Sequence, residues 1–167
     1  MKEDKFKKTE GRIYRYFENI RTINLLKAEN EELDKEYSSI ETILKNNDFD
    51  FDISIGSPGF EERVQTSTTG ESAVEKSILK QAEYLEKLQK NIRKAQVKNK
   101  VKILDLEKNN IKMRVVLAML DEEQKTLVYK KYYQKLSIER IADELKVSRR
   151  KCFTMRKDIV EEIIKLL

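Results

Sequence analysis

The chain has 167 residues, of which 39% are charged and only five are glycine or proline. This length fits one ordinary domain or two small ones, and the composition favours long helices over a sheet protein. Histidine is absent, which excludes Ser-His-Asp and Cys-His nucleophiles and most zinc sites. The four glycines are scattered and form no phosphate-binding loop. We therefore expect a protein that is not an enzyme and that needs no cofactor or metal.

The net charge of +5 is unevenly distributed along the chain. Residues 28–62 carry eleven acidic and two basic side chains, whereas residues 87–102 carry seven basic and no acidic ones. This separation is typical of a protein that contacts nucleic acid and keeps an acidic surface away from it. The 87–102 run either touches the DNA backbone or is a solvated helix face. We favour the solvated face, because its basic residues circle the helix.

Residues from about 9 to 45 have apolar side chains at helical spacing, which predicts one long helix. The second half of the stripe follows the coiled-coil rhythm, and polar Lys27 and Asn30 interrupt its middle. Such a stripe has to be buried against another helix. The stripe comprises Ile13, Phe17, Ile20, Ile23, Leu26, Leu33, Tyr37, Ile40 and Leu44.

A loop is predicted at about residues 46–72. Residues 49–55 alternate apolar and polar side chains, which permits a short strand or an extended arm, and turn-forming residues follow. Asp48, Asp50 and Asp52 have the spacing of calcium ligands, but the glycine and distal glutamate of an EF-hand loop are missing. We therefore expect no metal there.

A second long helix is predicted from the capping box at residues 72–75 to about Lys108. Together the two helices predict an antiparallel hairpin that packs further, against a second copy or the C-terminal domain. Asn109–Asn110 is interpreted as a joint, which divides the chain into a helical oligomerisation or interaction part, 1–110, and a domain at 111–167. The second stripe comprises Ile78, Ala82, Leu85, Ile92, Ile103 and Leu106, interrupted by Gln89, Gln96 and Asn99.

Residues 136–157 have the pattern of a helix-turn-helix. Ser137 and Ser148 are helix caps, and the turn between the two helices is reduced to Lys146 and Val147. Cys152 lies on the inner stripe of the second helix and is interpreted as a core thiol. The first helix buries Ile138, Ile141, Ala142 and Leu145, and the second buries Cys152, Met155, Ile159 and Ile163.

The outer face of the second helix is strongly basic, since residues 146–157 include six basic side chains and no acidic one. Arginine and lysine near the start of such a helix can reach guanine edges and phosphates. The alternative is an ordinary amphipathic helix pair with a solvated basic face. The predicted DNA-binding residues are Arg149, Arg150, Lys151, Phe153, Thr154, Arg156, Lys157 and Ser148, with Lys130 and Lys131 from the preceding helix.

That preceding helix begins at a second capping box, Asp121-Glu-Glu-Gln124, and its apolar surface comes from Leu120, Leu127, Val128 and Tyr132. It completes a predicted three-helix core between Leu117 and Leu167. The fold class is therefore all-α, with a long hairpin or coiled-coil-like N-terminal part and a C-terminal three-helix helix-turn-helix domain.

The runs 120–124, 132–133 and 136–148 together resemble region 4 of bacterial sigma factors. With its long helical N-terminal part, the chain is similar to the ArpU/RinA-like phage regulators of late transcription. The resemblance implies that the basic face binds a promoter, as region 4 binds the −35 element, and that the protein activates late genes. Two positions depart from the family pattern. Lys146 replaces a frequent glycine, and a left-handed backbone there would cost a residue other than glycine about 1 kcal/mol. Lys151 replaces a small hydroxyl residue, which bears on the base preference and not on the fold.

These observations favour a sequence-specific, DNA-binding transcription regulator of a bacterial host's cytoplasm. Double-stranded DNA is its expected partner, and the N-terminal helices would dimerise or contact RNA polymerase. We expect no membrane contact, because neither a signal peptide nor a spanning apolar run is present. No sigma region 2 is recognisable, so a self-sufficient sigma factor is not expected. Two alternatives remain: a phage packaging subunit of the small-terminase type, and a structural coiled-coil protein with an incidental basic helix.

Overall fold

The computed structural model describes residues 2–49 and 73–167, and all regular structure in these two ranges is helical. The predicted all-α class is confirmed. The loop and arm predicted within residues 46–72 lie largely outside the described residues. Three residues named in the sequence analysis lie wholly outside them: Asp50, Asp52 and the predicted capping residue Ser72. Among the described helices, none combines the length and apolar character needed to cross a membrane. The helices are α1 (Lys2–Asn46), α2 (Ala73–Ala118), α3 (Glu122–Val128), α4 (Ile138–Leu145) and α5 (Arg149–Leu166).

Helix α2 runs without a break through Asn109–Asn110, so the joint predicted there is wrong. The side chain of Asn110 is buried, and its Oδ1 accepts a hydrogen bond from Asn19 Nδ2 at 2.8 Å. Its Nδ2 donates to the carbonyl oxygen of Tyr16 at 3.4 Å. Because both ends of this buried amide have partners on α1, it fits inside a continuous helix at little cost.

The chain packs as two compact units, Met1–Lys27 with Lys100–Leu167, and Ala28–Asn99. This division differs from the boundary predicted after residue 110. It differs because α2 is continuous there and because the first part of α1 packs into the core of the helix-turn-helix.

The first unit has a single large core to which every helix contributes. Ile13 and Phe17 of α1 lie in it beside Leu127 of α3 and Ile159 of α5. The apolar stripes predicted for α4 and α5 face inward, and only Leu145 and Met155 are partly exposed. The buried core residues are Ile13, Phe17, Met113, Val116, Leu117, Leu120, Leu127, Val128, Tyr132, Ile138, Ile141, Ala142, Cys152, Ile159, Val160 and Ile163.

The second unit contains an antiparallel pair formed by the later part of α1 and the earlier part of α2. Its seam buries Ile40 and Ile92. Three of the five polar residues that interrupt the two predicted stripes, Asn30, Gln96 and Asn99, are hydrogen-bonded across it. Asn99 Nδ2 donates to Asn30 Oδ1 at 3.2 Å, and Gln96 Nε2 donates to Asp34 Oδ1 at 2.6 Å. These two hydrogen bonds give the polar side chains partners on the opposite helix and define the register of the two helices.

A five-residue π-helical segment, Tyr129–Tyr133, continues α3 and was not anticipated from the sequence. Its wider turn is closed by the Gln134 amide, which donates to the Tyr129 carbonyl oxygen at 3.0 Å. The Tyr129 and Tyr133 rings stack with centroids 4.7 Å apart, and Tyr132 is buried. The chain then turns at Lys135, which has a left-handed backbone with φ 58°.

Candidate nucleic-acid interface

The turn between α4 and α5 has the geometry that the sequence predicts. The Ser137 hydroxyl accepts from the Arg140 amide at 3.3 Å, and the Ser148 hydroxyl accepts from the Lys151 amide at 3.2 Å. Between these caps, Lys146 adopts the left-handed conformation, with φ 55° and ψ 40°. The Val147 amide donates back to the Ala142 carbonyl oxygen at 3.0 Å, which closes the end of α4. The connection is therefore short, with a hydrogen-bonded cap on each side of it.

Helix α5 separates an inner apolar face from an outer basic face. Cys152, Ile159 and Ile163 are buried, and the first turn of the helix contains no acidic residue. The predicted outer residues Arg149, Arg150, Lys151, Phe153, Thr154 and Lys157 are all exposed. The structure thus brings together six of the seven side chains that the sequence assigns to this face.

The exposed basic residues of α5 differ in their ion pairs. Lys151 Nζ lies 3.0 Å from Glu123 Oε1, and Lys157 Nζ lies 3.9 Å from Glu161 Oε1. Arg149 and Arg150 make no salt bridge with another described residue. These two arginines precede all other basic side chains of the helix, so they are best placed to contact an anionic partner without first breaking an internal pair.

The predicted outward position of Arg156 is wrong. Its Nε and Nη2 donate to the two carboxylate oxygens of Glu10 on α1, each at 2.8 Å. The side chain is only 24% exposed, and that of Glu10 is 14% exposed. This paired, largely buried guanidinium holds α1 against α5. The helical spacing of Arg156 does not reveal this, because the partner lies 146 residues away in the chain.

Tyr132 completes this contact from the π-helical segment. Its hydroxyl donates to Glu10 Oε1 at 2.6 Å. Burial raises the pKa of Tyr132 well above its usual range, and the hydrogen bond to the Glu10 carboxylate raises it further. Burial also acts to raise the pKa of Glu10, but hydrogen bonds from Arg156 and Tyr132 outweigh it, so that pKa is lowered. Glu10 therefore stays ionised between its two donors.

Lys130 and Lys131, also predicted to bind DNA, are half-buried. Lys130 Nζ donates to Glu144 Oε2, and this hydrogen bond lowers the pKa of Glu144. Lys131 Nζ donates to the Leu136 carbonyl oxygen at 3.4 Å. The Lys130 side chain is therefore paired and only 23% exposed, which makes it a weaker candidate than the arginines of α5.

Arg140 on α4 is a candidate that the sequence interpretation missed. It is exposed in the first turn of α4, and its Nε donates to Glu144 Oε1 at 3.4 Å. The first helix of a helix-turn-helix crosses the DNA backbone, so an exposed arginine there can reach a phosphate. The sequence did contain a usable signal, because Arg140 lies outside the Ile138, Ile141 and Ala142 stripe.

Cys152 and the basic run of α2 stand apart from this surface. Burial raises the pKa of the Cys152 thiol, which fits its interpretation as a core residue. All seven basic side chains of the 87–102 run are exposed. Within that run, the Arg93 guanidinium lies 3.9 Å from the centroid of the Tyr37 ring.

Comparison with known protein families, with curated proteins and with solved structures finds no match to this chain. The similarity to sigma region 4 and to ArpU/RinA-like regulators therefore remains a prediction from the residues quoted above.

Proposed function

We propose that this protein is a sequence-specific, DNA-binding transcription regulator that reads double-stranded DNA with the outer face of α5. The observation that carries the proposal is the exposed, acid-free first turn of α5, projected beyond a capped two-residue turn. A basic helix at this position of a helix-turn-helix is the element that enters the major groove. The interpretation as an incidental solvated helix gives no reason for the coincidence of the tight turn with the charge separation.

The side chains of the outer face differ in their position along α5 and in whether they are charged. Arg149 and Arg150, without salt bridges among the described residues, are assigned to base edges or to the phosphates that flank them. Thr154 and Phe153 lie one turn further along and are assigned to contacts within the groove. Arg140 at the start of α4 is assigned to a phosphate.

The biological role follows from the resemblance to ArpU/RinA-like regulators and region 4 of sigma factors. By that similarity, the protein activates phage late genes in the cytoplasm of a bacterial host. The helical remainder of the chain would then contact RNA polymerase.

Genomic footprinting of the tagged protein, followed by binding to the recovered site, tests the proposal. We expect a discrete peak upstream of lysis or structural genes. The Arg149→Glu/Arg150→Glu variant should bind that site at least about thirtyfold more weakly, because each lost or reversed contact costs about 1–3 kcal/mol. The matched control is Lys76→Glu/Lys80→Glu, two exposed lysines of α2 that carry the same change of charge. Equal loss in both variants, or unchanged binding by the α5 variant, would refute the assignment.

A further inference from the structure

The outward face of the C-terminal half of α2 is apolar and unpartnered among the described residues. Val101, Leu104, Ile111, Val115 and Met119 are each 47–64% exposed. The opposite face of the same helix segment is buried in the core of the first unit. An exposed apolar stripe of this kind, interrupted at Lys108, marks an interaction surface.

The stripe has the spacing of a coiled-coil seam. Val101, Leu104, Lys108, Ile111 and Val115 are separated alternately by three and four residues, and exposed Ala118 continues the series. Val101, Lys108 and Val115 occupy the a positions, and Leu104, Ile111 and Ala118 occupy the d positions. From Val101 to Ala118 the seam is about 26 Å long at 1.5 Å per residue.

The C-terminal end of α5 widens the seam at one end. A groove lined mainly by apolar side chains lies between α2 and Leu166 and Leu167. Both leucines are partly exposed, at 48% and 37%. The exposed apolar surface therefore consists of the stripe on α2 and the adjacent groove beside Leu166 and Leu167.

We propose that this face binds the same face of a second copy of the chain, as an antiparallel two-helix coiled coil. The charges that flank the seam are self-complementary in this orientation. With Leu104 layered on Val115 of the second copy, Asp105 lies beside Lys112 of that copy. Glu107 then lies beside Arg114 of that copy, and the twofold axis repeats both pairs.

Lys108 selects the antiparallel orientation over the parallel one. A parallel pair also brings opposite charges together, Lys100 with Asp105 and Glu107 with Lys112. In that arrangement, however, a positions face each other, so the two copies of Lys108 would meet in the seam. In the antiparallel arrangement Lys108 packs beside Ile111 of the second copy. Its aliphatic side chain is long enough for the ammonium group to reach solvent.

This dimer does not rest on DNA binding, so it is measured without DNA. Sedimentation equilibrium of the full chain should show a monomer–dimer equilibrium. Ile111→Asp should raise the dissociation constant at least about a hundredfold, because two isoleucines leave the interface and two charges enter it. Leu25→Asp, at an exposed leucine of α1, is the matched control and should leave the constant unchanged. The proposal is overturned if the chain is a monomer at about 100 μM or forms a larger ring. It is also overturned if the dimer is insensitive to Ile111→Asp, because the dimer would then form through another surface.

Charge exchange at two exposed positions tests the orientation. Asp105→Lys alone should weaken the dimer, and the double variant Asp105→Lys/Lys112→Asp should restore it, since the antiparallel pair is re-formed with its signs exchanged. In a parallel pair, the double variant instead creates like-charge contacts with Lys100 and Glu107. Neither Asp105 nor Lys112 makes a salt bridge with another described residue, so the exchange leaves the monomer's salt bridges intact. A double variant that is weaker than the single one overturns the antiparallel dimer.

Discussion

Glu10 of α1 and Arg156 of α5 form a bidentate ion pair, with both donor–acceptor distances at 2.8 Å. This pair ties the first turns of a long N-terminal helix to the helix that carries the candidate DNA-binding face. Tyr132 donates to the same carboxylate, so three separate segments meet at one group. The helix-turn-helix is therefore built into a larger core and is not an independent three-helix domain.

Removal of the Glu10 carboxylate should destabilise this first unit. Glu10→Ala leaves the guanidinium of Arg156 and the hydroxyl of Tyr132 without their acceptor, and we expect a loss of about 2–4 kcal/mol in the free energy of unfolding. The matched control is Glu123→Ala, which breaks the exposed pair with Lys151 and should cost less than about 1 kcal/mol. Urea unfolding followed by circular dichroism measures both. Similar losses in the two variants would show that the buried pair has no special role.

The same carboxylate should make stability depend on acid pH. The pKa of Glu10 is lower in the folded protein than its ordinary value of 4.5, so the unfolded chain binds more protons near that pH. Its contribution is thus complete above about pH 4.5 and is lost as the pH falls through the lowered folded value. We expect the stability difference between wild type and Glu10→Gln to shrink steadily as the pH falls below about 4.5 and through the lowered folded pKa. A difference that stays constant over this range would contradict the assignment.

Lys146 should be replaceable by glycine with a gain in stability. Its left-handed backbone is strained for a residue with a Cβ atom, and relief of this strain exceeds the entropy that glycine adds to the unfolded chain. We expect Lys146→Gly to raise the free energy of unfolding by about 0.5–1 kcal/mol. Lys98→Gly, at an exposed position inside α2, should have the opposite sign and cost about 1 kcal/mol. Thermal unfolding of the two variants distinguishes the outcomes, and a loss at both positions would be inconsistent with strain at Lys146.

Ser148 has two roles that substitutions can separate. Ser148→Ala removes the acceptor for the Lys151 amide and should cost about 1 kcal/mol of stability. Ser148→Asp retains a cap and adds a negative charge beside Arg149 and Arg150. Its stability should match that of wild type. Its affinity for DNA should fall at least tenfold, because about 1.4 kcal/mol of electrostatic repulsion lowers affinity tenfold. Undiminished DNA binding by Ser148→Asp would place the DNA elsewhere.

If the dimer and the DNA-binding face are both correct, the DNA site should be an inverted repeat. A twofold axis through the α2 seam relates the two copies of α5, so operator symmetry follows protein symmetry. Ile111→Asp should then still contact a single half-site but lose the gain in affinity that the second half-site gives. Footprints of equal length for wild type and Ile111→Asp would contradict this link.

Local chemistry accounts for what the sequence predicts well. Ser137, Ser148 and the Asp121 capping box each act within three residues, and all three form as predicted. The two long helices are predicted from the spacing of their apolar residues, which is also a local pattern. The polar residues that interrupt these patterns could be identified from the sequence, but their hydrogen-bond partners could not.

Long-range packing accounts for what the sequence does not reveal. Arg156 has the helical spacing of an outward residue, yet Glu10 draws it inward across 146 residues of chain. Asn110 is a residue type that often occurs where a helix ends, yet its hydrogen bonds to α1 keep it inside a continuous helix. The π-helical turn at Tyr129–Tyr133 depends on how the tyrosines pack, for which the sequence pattern gives no signal.

Selection of binding sites from a random pool of DNA duplexes tests the central claim most directly. We expect wild-type protein to enrich one sequence motif, and Arg149→Glu/Arg150→Glu protein with unchanged unfolding behaviour to enrich none. The Lys76→Glu/Lys80→Glu control should recover the wild-type motif. Failure of the wild-type protein to enrich any motif, or recovery of the same motif by the α5 variant, would contradict DNA reading by α5.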